Sequence, residues 1–481
     1  MRAKAVGADL NQRFGRVGST PVLNPAEKAT TLPTREDAWP GAVRRTLGSA
    51  PCKGDTEMLK RSPPSELPDG AATTLTQGDP RKAAGMAVIA FINFNIAIAC
   101  VWGSFSVMLG TVETRLHVGR ELSTMAVPLL NLVNALASVG VGVLATRHSL
   151  RLLMMTGAAL GVAGFVLLAL TTSYPMYLVA FALLLGPAMA TAVVLPPTLV
   201  TRWYAAGRGR ALGFASTPAV MILMPVAASW MLRNHGATAT YAMLAAFSMV
   251  SLVASCFVVD RPPGSAAAPA GGGHAHGPAA SGAGAPGIAQ LVRSPRFWAL
   301  SLAYIVSVGG SIVLVSHFVP MARAWGISAT SAASLLSIQA LAGIAGTVLF
   351  GWIADRLGGA VALALVVVNA GLLWALLLAD LPFAATALVI MLLGVLSSGT
   401  VPSMSVALTE SFGPESFSRA FGLVNLINLP ATVFLVPAAA VIVTRTGSYT
   451  GAIAGEVGLF ALGSVLVMAA VMTGRRRPAA T

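Results

Sequence analysis

Residues 330–379 show the clearest structural pattern in the chain and read TSAASLLSIQALAGIAGTVLFGWIADRLGGAVALALVVVNAGLLWALLLA. Two apolar runs flank a short loop that contains Asp355 and Arg356, the only charged residues of this stretch. Each run is about 20 to 25 residues long, which is enough for an α-helix to cross the roughly 30 Å of hydrocarbon in a bilayer. We therefore interpret the stretch as two transmembrane helices joined by a loop at one membrane surface.

The same pattern continues through most of the chain. Of its 481 residues, 56% are hydrophobic and only 10% are charged, whereas a soluble globular chain carries about 25% charge. This composition excludes an ordinary soluble enzyme and predicts an all-α membrane protein with twelve transmembrane helices. The predicted spans are 86–110, 123–146, 151–171, 175–200, 209–231, 238–259, 295–320, 330–354, 360–379, 383–409, 418–443 and 449–472.

The segments outside the spans divide the chain. Residues 1–84 are rich in Pro, Ser, Thr and charge, and they predict a disordered cytoplasmic tail, or a start-site artefact if translation begins at Met86. Residues 260–292 are rich in Gly, Ala and Pro, which is typical of a flexible linker. The resulting order is the tail, a six-helix half at 86–259, a cytoplasmic linker, a second six-helix half at 293–472 and a basic cytoplasmic C-terminus at 473–481.

The distribution of charge indicates membrane topology rather than nucleic-acid binding. The net charge is +14, but no lysine follows residue 84 and the arginines are scattered between apolar runs, so nucleic acid is not an expected partner. If the N-terminus is inside, thirteen arginines after residue 84 lie on the inner side and five on the outer side. The positive-inside rule then predicts a multi-pass protein of the plasma (inner) membrane with both termini in the cytoplasm.

An internal repeat supports two related halves. The loop after the second span begins at Gly142 and reads GVLATRHSLR, and the loop after the eighth span begins at Gly351 and reads GWIADRLGGA. The motif Arg210-Ala-Leu-Gly213 matches Arg419-Ala-Phe-Gly422, and both pairs of motifs are 209 residues apart. Two matches at one offset favour pseudo-symmetric six-helix halves, an architecture used by transporters.

The loop at Gly351 resembles the signature of the major facilitator superfamily, G-x-x-x-D-R-x-G-x-R. It keeps Gly351, Asp355, Arg356 and Gly358, and it has Ala360 in place of the final arginine. The first-half copy keeps three positions of the signature and has Thr146 and Ser149 where the signature has Asp and the second Gly. The kept positions are Gly142, Arg147 and Arg151. The resemblance implies the twelve-helix fold of this superfamily.

Three further stretches resemble the monocarboxylate and oxalate/formate porter branch: RWYAAGRGRALG at 202–213, SHFVPMARAWGIS at 316–328 and TGSYTGA at 446–452. This resemblance implies a secondary active transporter of a small organic solute, with a monocarboxylate or related organic anion as the expected substrate. The branch often places a cation in span eight or eleven. Here span eight offers Gln339, and span eleven offers Asn425 and Asn428, so amide and hydroxyl donors, helix N-termini or transport in the protonated form are alternatives.

The repeated loops predict an inner gate. Gly351 permits close approach of two helices. Asp355 can accept hydrogen bonds at the N-terminus of a neighbouring helix, and Arg356 is expected to pair with a carboxylate such as Glu415. The alternative is simple topogenic charge. The predicted gate residues are Gly142, Arg147, Arg151, Arg210, Gly351, Asp355, Arg356, Gly358 and Arg419.

Polar side chains inside the spans are candidates for the solute path, with hydrogen bonding between helices as the alternative. They are Asn93, Asn95, Trp102, Asn131, Asn134, His317, Gln339, Asn425 and Asn428. Two groups are candidates for coupling to protons: His317, which can titrate near neutral pH, and Glu456, an acid within span twelve. The alternatives are that His317 is a hydrogen-bonded histidine at the membrane interface and that the Glu456 carboxylate extends toward that interface.

No enzymatic, metal or cofactor site is expected. The sequence lacks a Walker loop, which argues against ATP-driven transport. The spacing of Cys52, Cys100 and Cys256 indicates neither a metal site nor a disulfide framework.

We expect a monomer whose partners are a small solute, membrane lipid and protons. The leading hypothesis is alternating access, coupled to protons or working by exchange. The alternatives are a proton-driven exporter of small hydrophobic compounds and a membrane sensor or scaffold on a transporter fold.

Overall fold

The computed structural model describes residues 79–263, 286–379 and 381–475, without the side chains of residues 120, 121 and 473–475. The predicted tail, apart from residues 79–84, lies outside the described residues. Most of the predicted linker (264–285) and the last six residues lie outside them as well. The regular secondary structure of the described ranges is helical.

Eleven helices in the described ranges are long and apolar enough to cross a membrane. We name them α1 (Pro80–Leu116), α2 (Leu122–Arg147), α3 (Leu150–Leu170), α4 (Tyr174–Trp203), Arg208–Ser255, α7 (Pro295–Ala324), α8 (Ala329–Leu357), α9 (Gly359–Leu376), α10 (Phe383–Phe412), α11 (Phe417–Thr446) and α12 (Thr450–Met472). The fifth contains 48 residues, more than twice the roughly 20 needed for one crossing. Gly236 breaks it with φ 80° and ψ −179°, which divides it into α5 (208–235) and α6 (237–255). The prediction of twelve spans in two six-helix halves is confirmed.

The first helix begins earlier than predicted. It starts at Pro80 rather than at Met86, because Asp79 accepts a hydrogen bond from the backbone N–H of Arg81 at 3.0 Å and Pro80 occupies the first turn. A carboxylate cap followed by proline is a favourable helix start. Hydropathy alone missed this start because the first turn of the helix is polar.

A hydrogen bond from α1 compensates for a break in the helical hydrogen bonding of α5. The helix breaks at Ser216–Pro218 and resumes at Ala219, which frees backbone N–H groups at membrane depth. Asn95 of α1 is 1% exposed, and its Oδ1 accepts the N–H of Val220 at 3.1 Å. Since an unpaired backbone group in hydrocarbon costs several kcal/mol, this contact ties α1 to α5.

A second asparagine of α1 ties it to α6. The Oδ1 of Asn93 accepts hydrogen bonds from Ser251 at 2.7 Å and from Ser255 at 2.9 Å. In the second half, Ser307 of α7 and Thr400 of α10 share a hydrogen bond of 2.7 Å. Buried polar pairs of this kind join the helices within each half, where apolar side chains gain little by leaving lipid.

We predict that Asn95→Ala destabilises the protein by about 1 to 3 kcal/mol, because the N–H of Val220 loses its acceptor. Reversible unfolding by SDS in mixed micelles measures this free energy. Asn369→Ala is the matched control, since the Asn369 side chain is exposed and bonds only to Leu365 of its own helix. An equal loss in both variants would contradict the role of Asn95.

Candidate functional site between the two halves

The two halves meet along two helix pairs near one face of the molecule. This face carries the chain turns at 148–149, 204–207, 358 and 413–416, and we call it the arginine-rich face. The opposite face carries the turns at 117–121, 171–173, 325–328 and 447–449. The first pair is α2 with α11, the second is α5 with α8, and we call each contact region a seam.

In the α2–α11 seam the helix backbones touch. A Cβ atom on Gly142 would overlap the carbonyl oxygen of Ser418, and one on Gly422 would overlap that of Ser138. The hydroxyl of Ser418 also donates to the carbonyl oxygen of Gly142 at 2.9 Å. Only glycine at positions 142 and 422 permits an approach this close.

The α5–α8 seam repeats this arrangement. Gly209 and Gly351 face each other so closely that a Cβ atom on either one would overlap the carbonyl oxygen of the other. A Cβ atom on Gly213 would likewise overlap the carbonyl oxygen of Thr347, whose hydroxyl shares a hydrogen bond of 2.8 Å with Thr217. The face-to-face glycines make this seam as close as the first.

The two seams follow the sequence repeat residue by residue. Each contact residue in one half has its counterpart 209 positions away in the other half. The equivalent pairs are Ser138 with Thr347, Gly142 with Gly351, Gly209 with Ser418, and Gly213 with Gly422. The matched motifs of the sequence contain four of these glycine positions, but Ser138, Thr347, Gly209 and Ser418 were not predicted. The constant offset of 209 residues could have identified them.

The Asp355 carboxylate stabilises the α5–α8 seam. Its carboxylate accepts the backbone N–H groups of Gly209 and of Arg210, the latter at 2.9 Å, at the first turn of α5. An anion is favoured at a helix N-terminus. The Nε of Arg210 lies 3.5 Å from Asp355, but the Arg210 side chain is 66% exposed, so this ion pair adds little. The backbone contacts therefore supply most of the attraction.

The equivalent position in the α2–α11 seam is neutral. Thr146 stands where the other half has Asp355, and its hydroxyl accepts a hydrogen bond from Nη2 of Arg419 at 3.0 Å. Nη1 of Arg419 donates to the carbonyl oxygen of Pro286 at 3.4 Å, which brings the end of the linker to the same seam. The two seams thus share a backbone geometry but differ in electrostatics.

The expected pair between Arg356 and Glu415 is wrong. The Arg356 guanidinium lies over the ring of Trp352, 4.1 Å from its centroid, and Glu415 pairs with Arg261 at 3.1 Å. Successive helix residues point about 100° apart, so Arg356 is turned away from the seam that Asp355 faces. The contact between Arg261 and Glu415 was missed, and it joins the end of the first half to the α10–α11 turn.

The remaining predicted gate residues lie on the arginine-rich face. The side chains of Arg147 and Arg151 are exposed. Gly358 ends α8 with φ 89°, a left-handed conformation that favours glycine. Two carboxylates that sequence analysis missed cap neighbouring helices: Asp260 accepts the N–H of Leu150 at the start of α3, and Glu410 accepts that of Gly359 at the start of α9, both at 3.0 Å. Their positions at the ends of two predicted spans could have identified them as helix caps.

Beyond the seams, two amide oxygens lack partners. α2 and α11 run antiparallel, so the Asn131–Asn134 pair lies at the level of the Asn425–Asn428 pair. The Oδ1 atoms of Asn134 and Asn428 are buried and have no hydrogen-bond partner among the described residues. The amide of Asn425 donates to Phe421 of its own helix at 2.9 Å, and Asn131 is partly buried. Unpaired buried amide oxygens favour a ligand or water that can donate hydrogen bonds.

Four other candidates lie within the halves rather than between them. Trp102 lies in the π-helical turn Ala99–Gly103 of α1 and packs against a hydrophobic cluster of the first half. Gln339 of α8 is 6% exposed and stands against Gly394 of α10. The side-chain oxygens of Asn93 and Asn95 accept hydrogen bonds from α6 and α5, respectively.

An apolar cavity of about 590 Å³ separates the halves toward the opposite face. It lies between α2, α4 and α11. Its lining is Leu122, Met125, Pro128, Leu129, Leu132, Tyr174, Leu178, Leu429, Pro430, Val433 and Phe434. The halves are therefore in backbone contact near the arginine-rich face and are spaced apart here, as expected for one end state of an alternating-access carrier.

We predict that Gly142→Ala opens the arginine-rich face, because the new methyl group would overlap Ser418. Overpacking costs about 1 to 3 kcal/mol, or roughly 5- to 150-fold in the ratio of closed to open molecules. Labelling of Thr217→Cys by a maleimide, in a variant lacking the native cysteines, measures this opening. Gly140→Ala on the same helix is the control, since its Cβ would meet nothing within 4 Å. Equal labelling of the two variants would contradict the seam.

We predict that Asp355→Asn opens the same face more than Thr146→Ala does. A hydrogen bond to a charged group contributes about 1.5 to 3 kcal/mol, and Asp355 accepts two such bonds from backbone N–H groups, whereas Thr146 accepts one from Arg419. The Thr217→Cys labelling rate should therefore rise by roughly 10- to 150-fold in the first variant and by a smaller factor in the second. Insertion into the membrane should be unchanged in both. The reverse order of labelling would contradict the assignment of Asp355 as the stronger contact.

The architecture described above occurs in known proteins. The family profile of the Major Facilitator Superfamily matches residues 89–428 and 300–481. Monocarboxylate transporter 13 of Bos taurus is 28% identical over 335 residues, which cover 66% of this chain and 75% of that protein. The oxalate:formate antiporter of Oxalobacter formigenes is 25% identical over 264 residues, which cover 54% of this chain and 61% of the antiporter.

Solved structures agree on the fold. FucP, a major facilitator superfamily transporter captured in the outward conformation, superposes with a TM-score of 0.64 at 15% identity and covers 80% of this chain and 98% of that one. A bacterial homologue of the iron transporter ferroportin has a TM-score of 0.60 at 12% identity, with coverage of 81% and 99%. Repeat, seams, sequence profile and fold agree, and the chain belongs to the Major Facilitator Superfamily.

Proposed function

We propose that the protein is a secondary carrier that moves a small organic acid, a monocarboxylate or related anion, across the plasma membrane by alternating access. The observation that carries the proposal is the pair of symmetric seams. They close the arginine-rich face through glycine contacts, the Asp355 carboxylate and a few hydrogen bonds. Such contacts are weak enough individually to break and re-form in each cycle. With both termini in the cytoplasm, this closed face is the cytoplasmic one.

The named relatives support the substrate class. One is a monocarboxylate transporter and the other an oxalate:formate antiporter. Both names describe small carboxylates. A carboxylate also suits the charge on the arginine-rich face, where the ten arginines at positions 147, 151, 202, 208, 210, 261, 293, 296, 356 and 419 attract an anion that leaves the open site on that side.

The middle of the seam helices favours a neutral form of the acid during passage. The helices α2, α5, α8 and α11 carry charged residues near their ends, and their central parts contain none. An ionised carboxylate without a cation is costly in a low-dielectric site. A protonated acid, in contrast, donates a hydrogen bond, and the unpaired Oδ1 atoms of Asn134 and Asn428 can accept it. Transport of the acid together with a proton, or exchange of one acid for another, is compatible with this chemistry.

Reconstituted protein tests the substrate class. Purified carrier in liposomes is exposed to labelled formate, acetate, lactate or oxalate, with and without an inward proton gradient. We expect saturable uptake of at least one acid, competition by its unlabelled homologues and acceleration by the gradient. Empty liposomes and Asp355→Asn carrier are the controls. Uptake of all four acids at the rate of empty liposomes would contradict the proposal.

A second candidate function is export of small hydrophobic compounds. The apolar cavity between α2, α4 and α11 favours it, because no charged side chain lines that space. A fluorescent hydrophobic dye loaded into the same liposomes separates the two candidates. Proton-driven movement of the dye without uptake of any acid would support the exporter.

We predict that Asn134→Ala and Asn428→Ala each raise the KM for the transported acid about two- to tenfold, because each removes one neutral hydrogen bond. The initial rate of uptake against substrate concentration measures KM. Asn369→Ala is the matched control, since that asparagine is exposed on α9. A KM unchanged in both seam variants would remove these amides from the binding site.

A further inference from the structure

Glu456 is an isolated acid inside the second half. Among the described residues, it is the one carboxylate away from the ends of a membrane-spanning helix: Glu113, Asp355 and Glu410 all lie within three residues of a helix end. Glu456 is 5% exposed, and its Oε2 is buried without a hydrogen-bond partner. A carboxyl group in this position is unusual because hydrocarbon does not solvate charge.

The wall around Glu456 is formed by α7 and α12. A Cβ atom on Gly310 would stand 3.3 Å from Oε2 of Glu456 and 2.6 Å from the ring of Phe460, so the glycine makes room for both side chains. The two helices run antiparallel. Their outer contact is His317 with Tyr449, whose ring centroids are 6.3 Å apart. Glu456 therefore lies two turns deeper in the same helix pair.

No cation of the described part of the chain faces this carboxyl group. α7 contributes Arg296, Tyr304, His317 and Arg323 as its titratable or charged side chains, and of these Tyr304 lies six and His317 seven residues from Gly310. α9 contributes none between Gly359 and Leu376, and α11 contributes only Arg419 and Arg445 near its ends. The side chains between His317 and Glu456 include Val313 and Ile453, both buried and apolar.

An ionised carboxylate in this wall would have no partner to offset its desolvation. The cost of several kcal/mol is avoided when the group holds a proton. The proton can leave only when α7 and α12 separate enough to admit water. Protonation of Glu456 is thereby linked to the conformation of the second half.

His317 lies where a proton would enter from the opposite face. Its Nε2 is 3.0 Å from the carbonyl oxygen of Val436. A carbonyl oxygen only accepts hydrogen bonds, so Nε2 carries the hydrogen and Nδ1 of the neutral ring holds a free lone pair. Seven helical residues span about 10 Å, the distance along the helix between the levels of His317 and Glu456.

We propose that Glu456 is the proton-binding site that couples solute movement to the proton gradient. This inference rests on the proposed carrier function and names its coupling group. In the described conformation the Glu456 carboxyl group holds one proton. When the arginine-rich face opens and water enters between α7 and α12, the O–H bond breaks and the proton passes to water on that side. One proton then accompanies each cycle.

Transport by Glu456→Gln carrier tests the coupling. Glutamine imitates the protonated acid and cannot release a proton. We expect exchange of labelled for unlabelled acid at equal pH to persist, and acceleration by an inward proton gradient to be lost. Glu113→Gln is the matched control, since that carboxylate lies at the end of α1 with Ser123 within 3.4 Å. Acceleration retained in Glu456→Gln would overturn the proposal.

Infrared spectroscopy provides a test that needs no solute. The purified wild-type protein at neutral pH should show the carbonyl band of a protonated carboxylic acid. The band should be absent from Glu456→Gln and present in Glu113→Gln. Its absence from the wild type would overturn the assignment even if transport is observed. If no acid is transported but the band is present and is lost in Glu456→Gln, the carrier proposal fails while Glu456 remains a proton-binding site.

Discussion

Direct backbone contact holds the two halves of the protein together, and the arrangement of the other helices follows from it. Inside a membrane, helices gain little from leaving lipid, so close packing and hydrogen bonds hold them together. Gly209 and Gly351 in one seam, and Gly142 and Gly422 in the other, let helix backbones meet without intervening side chains. The contact is extensive enough to close one face, yet it contains few strong interactions. This balance allows the same surfaces to separate.

The two seams are alike in shape and unlike in charge. Asp355 accepts two backbone N–H groups at the start of α5, whereas its counterpart Thr146 accepts one bond from Arg419. A carboxylate at a helix N-terminus is the stronger contact. The free energy that keeps the face closed is therefore unequally divided, with more of it at the α5–α8 seam. A shift of the conformational equilibrium needs only a few kcal/mol, so this one carboxylate has a large share in setting it.

The polar side chains at membrane depth fall into two groups. Asn93 and Asn95 have partners on α6 and α5, and these contacts hold the first half together. Asn134, Asn428 and Glu456 each retain a buried oxygen without a partner. Such atoms reduce stability, and natural proteins tolerate local violations of this kind mainly where function requires them. Among the unpaired buried groups, these three lie along the paths proposed for the solute and the proton.

The number of helices, the division into halves and the offset of 209 that relates the two seams can be read from the sequence, because hydropathy, length and repeated motifs are local properties of the chain. Which polar groups find partners becomes visible only in the packed structure. Nothing local distinguishes Asn93, which meets two serines some 160 residues away, from Asn428, whose oxygen meets none. The same holds for Arg356, which stacks on Trp352 while Glu415 pairs with Arg261. These outcomes depend on the angle at which each helix presents a side chain to another, and that angle is set only when all the helices pack.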